Sequence, residues 1–238
     1  MKKGLVSITF RKLTPCEIVD LCVENGLEYI EWGGDIHVRP DDTGRAKAVK
    51  KLCDERGLKP AGYGSYYNAA KDFSLFLPNL DTACELGAEY IRIWGGNSAA
   101  FDEAATENIA RAVKLASERG LCVCLECHRW TMTEDHTVAL KVAELTGCRL
   151  HFQPNPDITF EQNLQALKAT KQHLCACHVF AWGKGDVRLP LEAQRSQWTA
   201  YASVAGDVPY LLEFVAHDDP ANLVTDAAEL ASWQVNNG

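Results

Sequence analysis

A glycine returning about every thirty residues constrains this chain more than any other feature. The stretches "ENGLEYIEW", "ERGLKPAGY", "ELGAEYIRIW", "ERGLCVCLE" and "LTGCRLHFQ" each read as a helix end, a glycine stop and then a strand. Glycine suits the stop because it accepts the left-handed conformation that closes a helix. Gly26, Gly57, Gly87, Gly120 and Gly147 mark the repeat, whose length is that of one strand–helix unit. Helix starts are marked too: Thr14-Pro15-Cys16-Glu17 offers an N-cap, a proline at the first helical position and a glutamate at the third. Strands are expected near residues 4–9, 28–32, 59–63, 89–94, 121–126, 149–153, 174–180 and 209–215. A helical pattern follows each, clearest in "DEAATENIARAVKLASERG" and "FEQNLQALKATKQHL". Alternating strands and helices predict a parallel sheet with right-handed crossovers. Eight units predict an α/β fold closed as a single (β/α)8 TIM barrel, with seven units or an open sheet as alternatives. The 238 residues also admit two small domains by length alone. No linker, low-complexity tract or composition shift interrupts the series, so residues 1–238 read as one barrel domain.

Composition narrows the partners. Hydrophobic residues at 47% and charged residues at 24% fit an ordinary soluble globule. A formal net charge of -8 argues against a nucleic-acid surface. No apolar stretch is long enough to span a bilayer, so no membrane partner is expected. The start "MKKGLVSITFRKL" lacks the apolar run and cleavage signal of a secretory leader, which predicts a cytoplasmic protein. Ten cysteines raise the question of disulfides, zinc or iron–sulfur sites. Strand alternation would turn Cys124 and Cys127 opposite ways, and cysteine is a common small core filler. Reduced core thiols are therefore expected.

The chemistry is concentrated in four strand ends: "LECH", "LHFQPNP", "CACHVFAW" and "YLLEFV". They place Glu126, Gln153, His178 and Glu213 at or near the ends of the fifth to eighth strands, where barrels gather catalytic residues. If Glu126 faces the axis, Cys124 does too and Leu125 packs against the helices. Phe152, Val179, Leu212 and Phe214 are likewise expected to face outwards. A carboxylate at the end of a buried strand is costly unless paired. Any one of the four reads as a satisfied polar group at the rim; four on successive strands read as a site. Two glutamates, an amide oxygen and an imidazole nitrogen suit one divalent ion, Mn²⁺ first, with Mg²⁺ or Co²⁺ as alternatives.

These stretches resemble the xylose-isomerase-like barrels, especially the ketose 3-epimerases and hydroxypyruvate-isomerase-like sugar isomerases, over essentially the whole chain. The resemblance implies that Glu126, Gln153, His178 and Glu213 hold one divalent metal ion. Gln153 departs from the family, where aspartate is usual, which implies weaker metal affinity and leaves a changed reaction open. Glu126 and Glu213 are implied as the catalytic pair, one removing a proton beside a carbonyl and the other returning it on the opposite face, with the metal stabilising the enediolate. His128 shares the parity of Glu126 and is implied near the substrate. In "AWGKGDVRLPL", Arg188 is preferred over Lys184 for reaching substrate oxygens. Trp94 and Trp182, with Trp32 and Tyr66, can wall a sugar pocket or simply fill the core. Glu31 and Arg92 are expected to form a buried structural ion pair.

The expected function is thus a metal-dependent ketose epimerase or aldose–ketose isomerase with a small-molecule carbohydrate substrate, and the family suggests a homo-oligomer. "WGGN" lacks a nucleotide-loop pattern, and no glycine-rich anion cradle follows strands seven and eight, which points to an unphosphorylated substrate. Pro154–Asn155–Pro156 is a stiff run placed above the expected metal. One rival is a lyase or dehydratase on a sugar-derived polyol. Another is a non-catalytic sugar-binding or partner subunit whose metal site has decayed at Gln153. A three-zinc abasic-site endonuclease is a third, against which the seven histidines and acidic balance count.

Overall fold

A computed structural model describes residues 1–233; the last five residues of the expected domain, 234–238, lie outside the described residues. Seven barrel strands run in chain order as β1 (Lys2–Val6), β2 (Tyr29–Gly33), β3 (Lys59–Asn68), β4 (Tyr90–Trp94), β5 (Cys122–Glu126), β6 (Arg149–Phe152) and β7 (Leu174–Val179). After a short hairpin of β8 (Ala181–Trp182) and β9 (Arg188–Leu189), the eighth barrel strand is β10 (Pro209–Leu212). All eight pair in parallel and close in the order β1-β10-β7-β6-β5-β4-β3-β2. An α-helix follows each barrel strand, from α1 (Pro15–Glu24) to α8 (Leu223–Ser232). The expected architecture is therefore present, with shifted edges. The first strand ends at Val6 because Ser7–Phe10 tighten into a 3-10 turn, and the last stops at Leu212 rather than 215.

The local signals explain why the units repeat. Gly26, Gly57, Gly87, Gly120 and Gly147 all have positive φ, from 64° to 76°. That conformation is cheap for glycine and releases the chain from each helix into the next strand. At α1, Thr14 and Glu17 form the reciprocal capping box, with Thr14 N–H donating to Glu17 Oε2 at 2.7 Å.

Strand alternation then sorts side chains into two layers. Leu125, Phe152, Val179 and Leu212 pack in the apolar shell between barrel and helices. Cys124 packs inside the barrel with Val6, Tyr90, Ala176 and Leu211. Phe214 corrects the expectation: it packs towards the interior cluster rather than outwards. The strand has already ended at Leu212, and Phe214 sits at φ 56°, so strand parity no longer governs it. All ten cysteines are free thiols. Cys124 and Cys127 do separate into different layers, and so do Cys175 and Cys177, because the β6–β7 ladder slips between Leu150 and His151. No helix among the described residues is long and apolar enough to cross a membrane.

Gly64 on β3 shows how the barrel makes room for its polar interior. A Cβ there would lie 2.6 Å from Arg92 Nη2 and 3.0 Å from Glu31 Oε1. Gly64→Ala is expected to lower stability by about 1–3 kcal/mol, the usual cost of overpacking, as read by urea unfolding. An unchanged midpoint would show that the Arg92–Glu31 pair does not press on this strand.

Candidate active site

The C-terminal ends of the strands open into a cavity of about 210 Å³ whose wall includes Glu126, Gln153, Glu213, Arg92, Trp94 and His128. This is smaller than the roughly 300–1,000 Å³ of pockets for drug-sized ligands. His178 lies fully buried in β7, just beneath it. Its Nδ1 is 3.4 Å from Gln153 Oε1, 3.4 Å from Glu213 Oε2 and 3.7 Å from Glu126 Oε1. One imidazole nitrogen thus meets one oxygen from each of three neighbouring strand ends. Gln153 and Glu213 each lie one residue past their strands.

Arg92 organises the other side. Its Nε donates to Glu31 Oε1 at 2.8 Å and its Nη1 donates to Glu126 Oε2, so the expected pair is present and is also part of this site. Trp94 Nε1 donates to the same Glu126 oxygen at 2.6 Å. Both donors therefore hold Oε2, and Oε1 is the oxygen turned to His178. Below, Tyr90 O–H donates to Glu31 Oε2 at 2.7 Å, and His151 Nε2 lies 3.5 Å from that oxygen. His178 Nε2 is 3.4 Å from Glu31 Oε1, an electrostatic contact without hydrogen-bond alignment.

The two cavity carboxyls are pushed apart in acidity. Burial works to raise both. At Glu126 the Arg92 charge, helped by His178 and His128, outweighs burial and holds the carboxyl below its ordinary value. At Glu213 burial prevails, with the charge of Glu126 adding to it, and the value rises to about 7. His151, buried and beside His178, is pushed down to about 4 and is neutral near pH 7.

Other expected residues are divided. His128 stacks on Trp94, with ring centroids 5.2 Å apart, and Trp182 and Tyr66 also line the cavity. Pro154–Asn155–Pro156 forms part of its wall. Trp32 does not: it is fully buried in the outer shell. Arg188 is likewise absent from this wall, because its cross-strand pairing with Trp182 puts it behind Phe214, 4.2 Å from that ring. Lys184 lies in a neighbouring depression. Three residues were not anticipated. Arg11 and Arg129 come from loops, where parity says nothing, though Arg129 follows directly on "LECH". His151 shares the parity of Gln153, which could have flagged it.

Glu31, His151 and His178 form a buried cluster of a kind that can hold a metal ion, their ligand atoms lying within 4.8 Å of one another. Both Glu31 oxygens, however, already accept from Arg92 and Tyr90. On the cavity side Glu126, Gln153 and Glu213 each approach His178 Nδ1, although Glu126, His178 and Glu213 do not close within 4.8 Å of one another as the buried cluster does. Donors around an ion at about 2.1 Å stand about 3.0–3.4 Å apart, close to the spacing around His178 Nδ1. Ligating carboxylates also take an outer partner, as Glu126 does with Arg92 and Trp94. Three ionised glutamates against one guanidinium leave two negative charges, which one divalent ion balances.

A profile described as xylose isomerase-like TIM barrel matches residues 19–218. The chain belongs to this family. Among solved structures, a probable 3-DHS dehydratase involved in petrobactin synthesis from Bacillus anthracis is similar with TM-score 0.79 and 18% identity, covering 98% of this chain and 100% of that one. A D-psicose 3-epimerase from Clostridium cellulolyticum H10, solved with D-tagatose, is similar with TM-score 0.70 and 13% identity, covering 97% of each chain. A xylose isomerase domain containing protein from Salmonella typhimurium LT2 has TM-score 0.73 and 11% identity, covering 97% and 96%. No curated protein sequence matches. Proteins of this fold thus include a D-psicose 3-epimerase and a probable dehydratase.

The raised Glu213 value gives a test that needs no substrate. Its contribution to stability is complete below the ordinary 4.5 and is lost as pH rises through about 7, where the buried carboxyl must ionise. Ion-free protein should lose about 3 kcal/mol from this source between pH 4.5 and 8, and Glu213→Gln should lack that component. Identical pH dependence in the two proteins would remove the assignment.

Proposed function

We propose that this protein is a divalent-metal-dependent sugar isomerase or epimerase acting on a ketose or related polyol. Glu126, Gln153, His178 and Glu213 are the ligands in this reading, Mn²⁺ is the ion, and Mg²⁺ or Co²⁺ are the next choices. When bound, the ion supplies Lewis acidity towards adjacent carbonyl and hydroxyl oxygens.

The observation that carries the reading is the unequal pair of carboxyls facing one imidazole. Glu126, held ionised by Arg92, is the base that takes a proton from carbon beside the carbonyl. Glu213, which lacks the direct guanidinium partner of Glu126, is the group that exchanges a proton at the opposite face. Arg92 and Trp94 keep the Glu126 carboxylate from turning away. His128 and Trp94 offer stacked faces to the sugar carbons, and Trp182 and Phe214 close the other side. Pro154 and Pro156 limit the motion of the loop beside Gln153.

A second reading, elimination of water by a lyase or dehydratase, is favoured by the same Glu213 proton. That proton can pass to a departing hydroxyl β to the carbonyl instead of to carbon.

The test is incubation of the Mn²⁺-loaded protein with a panel of ketoses in D₂O, followed by mass spectrometry and NMR. Epimerase or isomerase action places deuterium beside the carbonyl with no loss of water; elimination gives a product lighter by one water. Glu126→Gln and Glu213→Gln should each slow turnover by about 100-fold or more. Metal binding with neither exchange nor dehydration on any sugar would overturn the enzymatic reading.

A further inference from the structure

Phe214 separates the catalytic cavity from a second one of about 530 Å³. The two share Ile8, Arg11 and Phe214 in their walls. Phe10, Leu13 and the other face of Phe214 make the second cavity largely apolar. Its lining carries three cations, Arg11, Lys12 and Arg188, and one carboxylate among the described residues, Asp218; Arg11 also donates to Asp35 beyond the wall, which leaves Lys12 as the cation with no carboxylate partner among the described residues. Arg188, absent from the wall of the catalytic cavity, has its place here, stacked on Phe214 and paired with the half-exposed Asp218. The wall between the cavities is also strained. Phe214, His217 and Asp218 have φ of 56°, 57° and 55°, a region unfavourable for non-glycine residues. Such strain persists where the surrounding structure enforces it, often at binding sites.

We propose that this second cavity is a substrate subsite for an anionic group, a carboxylate or a phosphate, carried at the end of the substrate remote from the reacting carbon. The inference rests on the catalytic assignment of Glu126 and Glu213. Glu213 is the residue before Phe214, so a substrate reacting at Glu213 needs to extend past only one side chain to reach the cations. Side-chain guanidinium and ammonium groups, rather than a glycine-rich loop, are the anion donors. A phosphate there would run against the expectation of an unphosphorylated substrate and a carboxylate would agree with it; in either case neutral monosaccharides are poor mimics of the ligand.

Calorimetric titration of the full chain with D-fructose, D-fructose 6-phosphate and 2-keto-D-gluconate, in low salt and with Mn²⁺, tests the subsite. At least one anionic probe should bind about tenfold or more tightly than D-fructose, and which one does so distinguishes phosphate from carboxylate. Lys12→Gln, at the surface, and Arg188→Gln, half-buried against Phe214, should each bring the anionic-to-neutral affinity ratio towards one. Equal binding of all three probes, no binding of either anion, or a ratio that survives in the double variant would overturn the proposal. Glu213→Gln separates it from the catalytic reading: unchanged solvent exchange in that variant sinks the acid–base assignment, whereas the anion preference is read independently.

Discussion

A guanidinium buried between two carboxylates is the interaction on which this site depends. Arg92, Glu31 and Glu126 come from β4, β2 and β5, and all three are removed from solvent. Burying any one of them alone would cost several kcal/mol. Together they are viable because Arg92 Nε and Nη1 each donate to a carboxylate, one on either side. The barrel is shaped around this group: β3 lies between β2 and β4, and its Gly64 leaves the volume that Arg92 needs. Tyr90 completes the hydrogen bonding of Glu31. The glycine, the tyrosine and the ion pair are one packing solution to placing charge inside a barrel.

Distance from Arg92 then divides the two catalytic candidates. Glu126 accepts directly from the guanidinium and remains ionised. Glu213, on the other side of His178, feels Arg92 only at longer range while Glu126 repels a second negative charge. In a medium of low dielectric this difference is enough to separate two chemically identical groups. In the proposed reaction, acid and base roles would follow from where each strand end lies relative to one cation, with no difference in residue type.

The parts legible in the sequence are those governed by local rules. Gly26 to Gly147 announce helix ends because only glycine takes the left-handed position cheaply, and Thr14 announces a start because its oxygen caps one. Two-residue alternation correctly put Cys124 inside and Leu125 outside. It failed at Phe214 because the backbone leaves the strand at Leu212. Arg11 and Arg129 sit on loops whose paths no periodicity describes. Arg129 is held between Asp157 and Asp186, on two further loops, so its position is a property of three segments at once. Arg188 was found by its neighbourhood in sequence, but the β8–β9 hairpin decides which side of Phe214 it reaches.

Gln153 looks like damage to a metal site when the four strand ends are considered alone. Counting the buried charges changes that view. With aspartate at 153, the three glutamates and Arg92 would sum to three negative charges, and one divalent ion would leave an excess. With glutamine the same ion leaves none. The amide holds an ion less strongly than a carboxylate would, but it also does not oppose negative charge on the substrate. A reaction that builds anionic character beside the carbonyl gains from that absence, and so does a substrate arriving with a carboxylate or phosphate of its own. The substitution at 153 and the cations behind Phe214 therefore act in the same electrostatic direction, although they lie on opposite sides of Glu213.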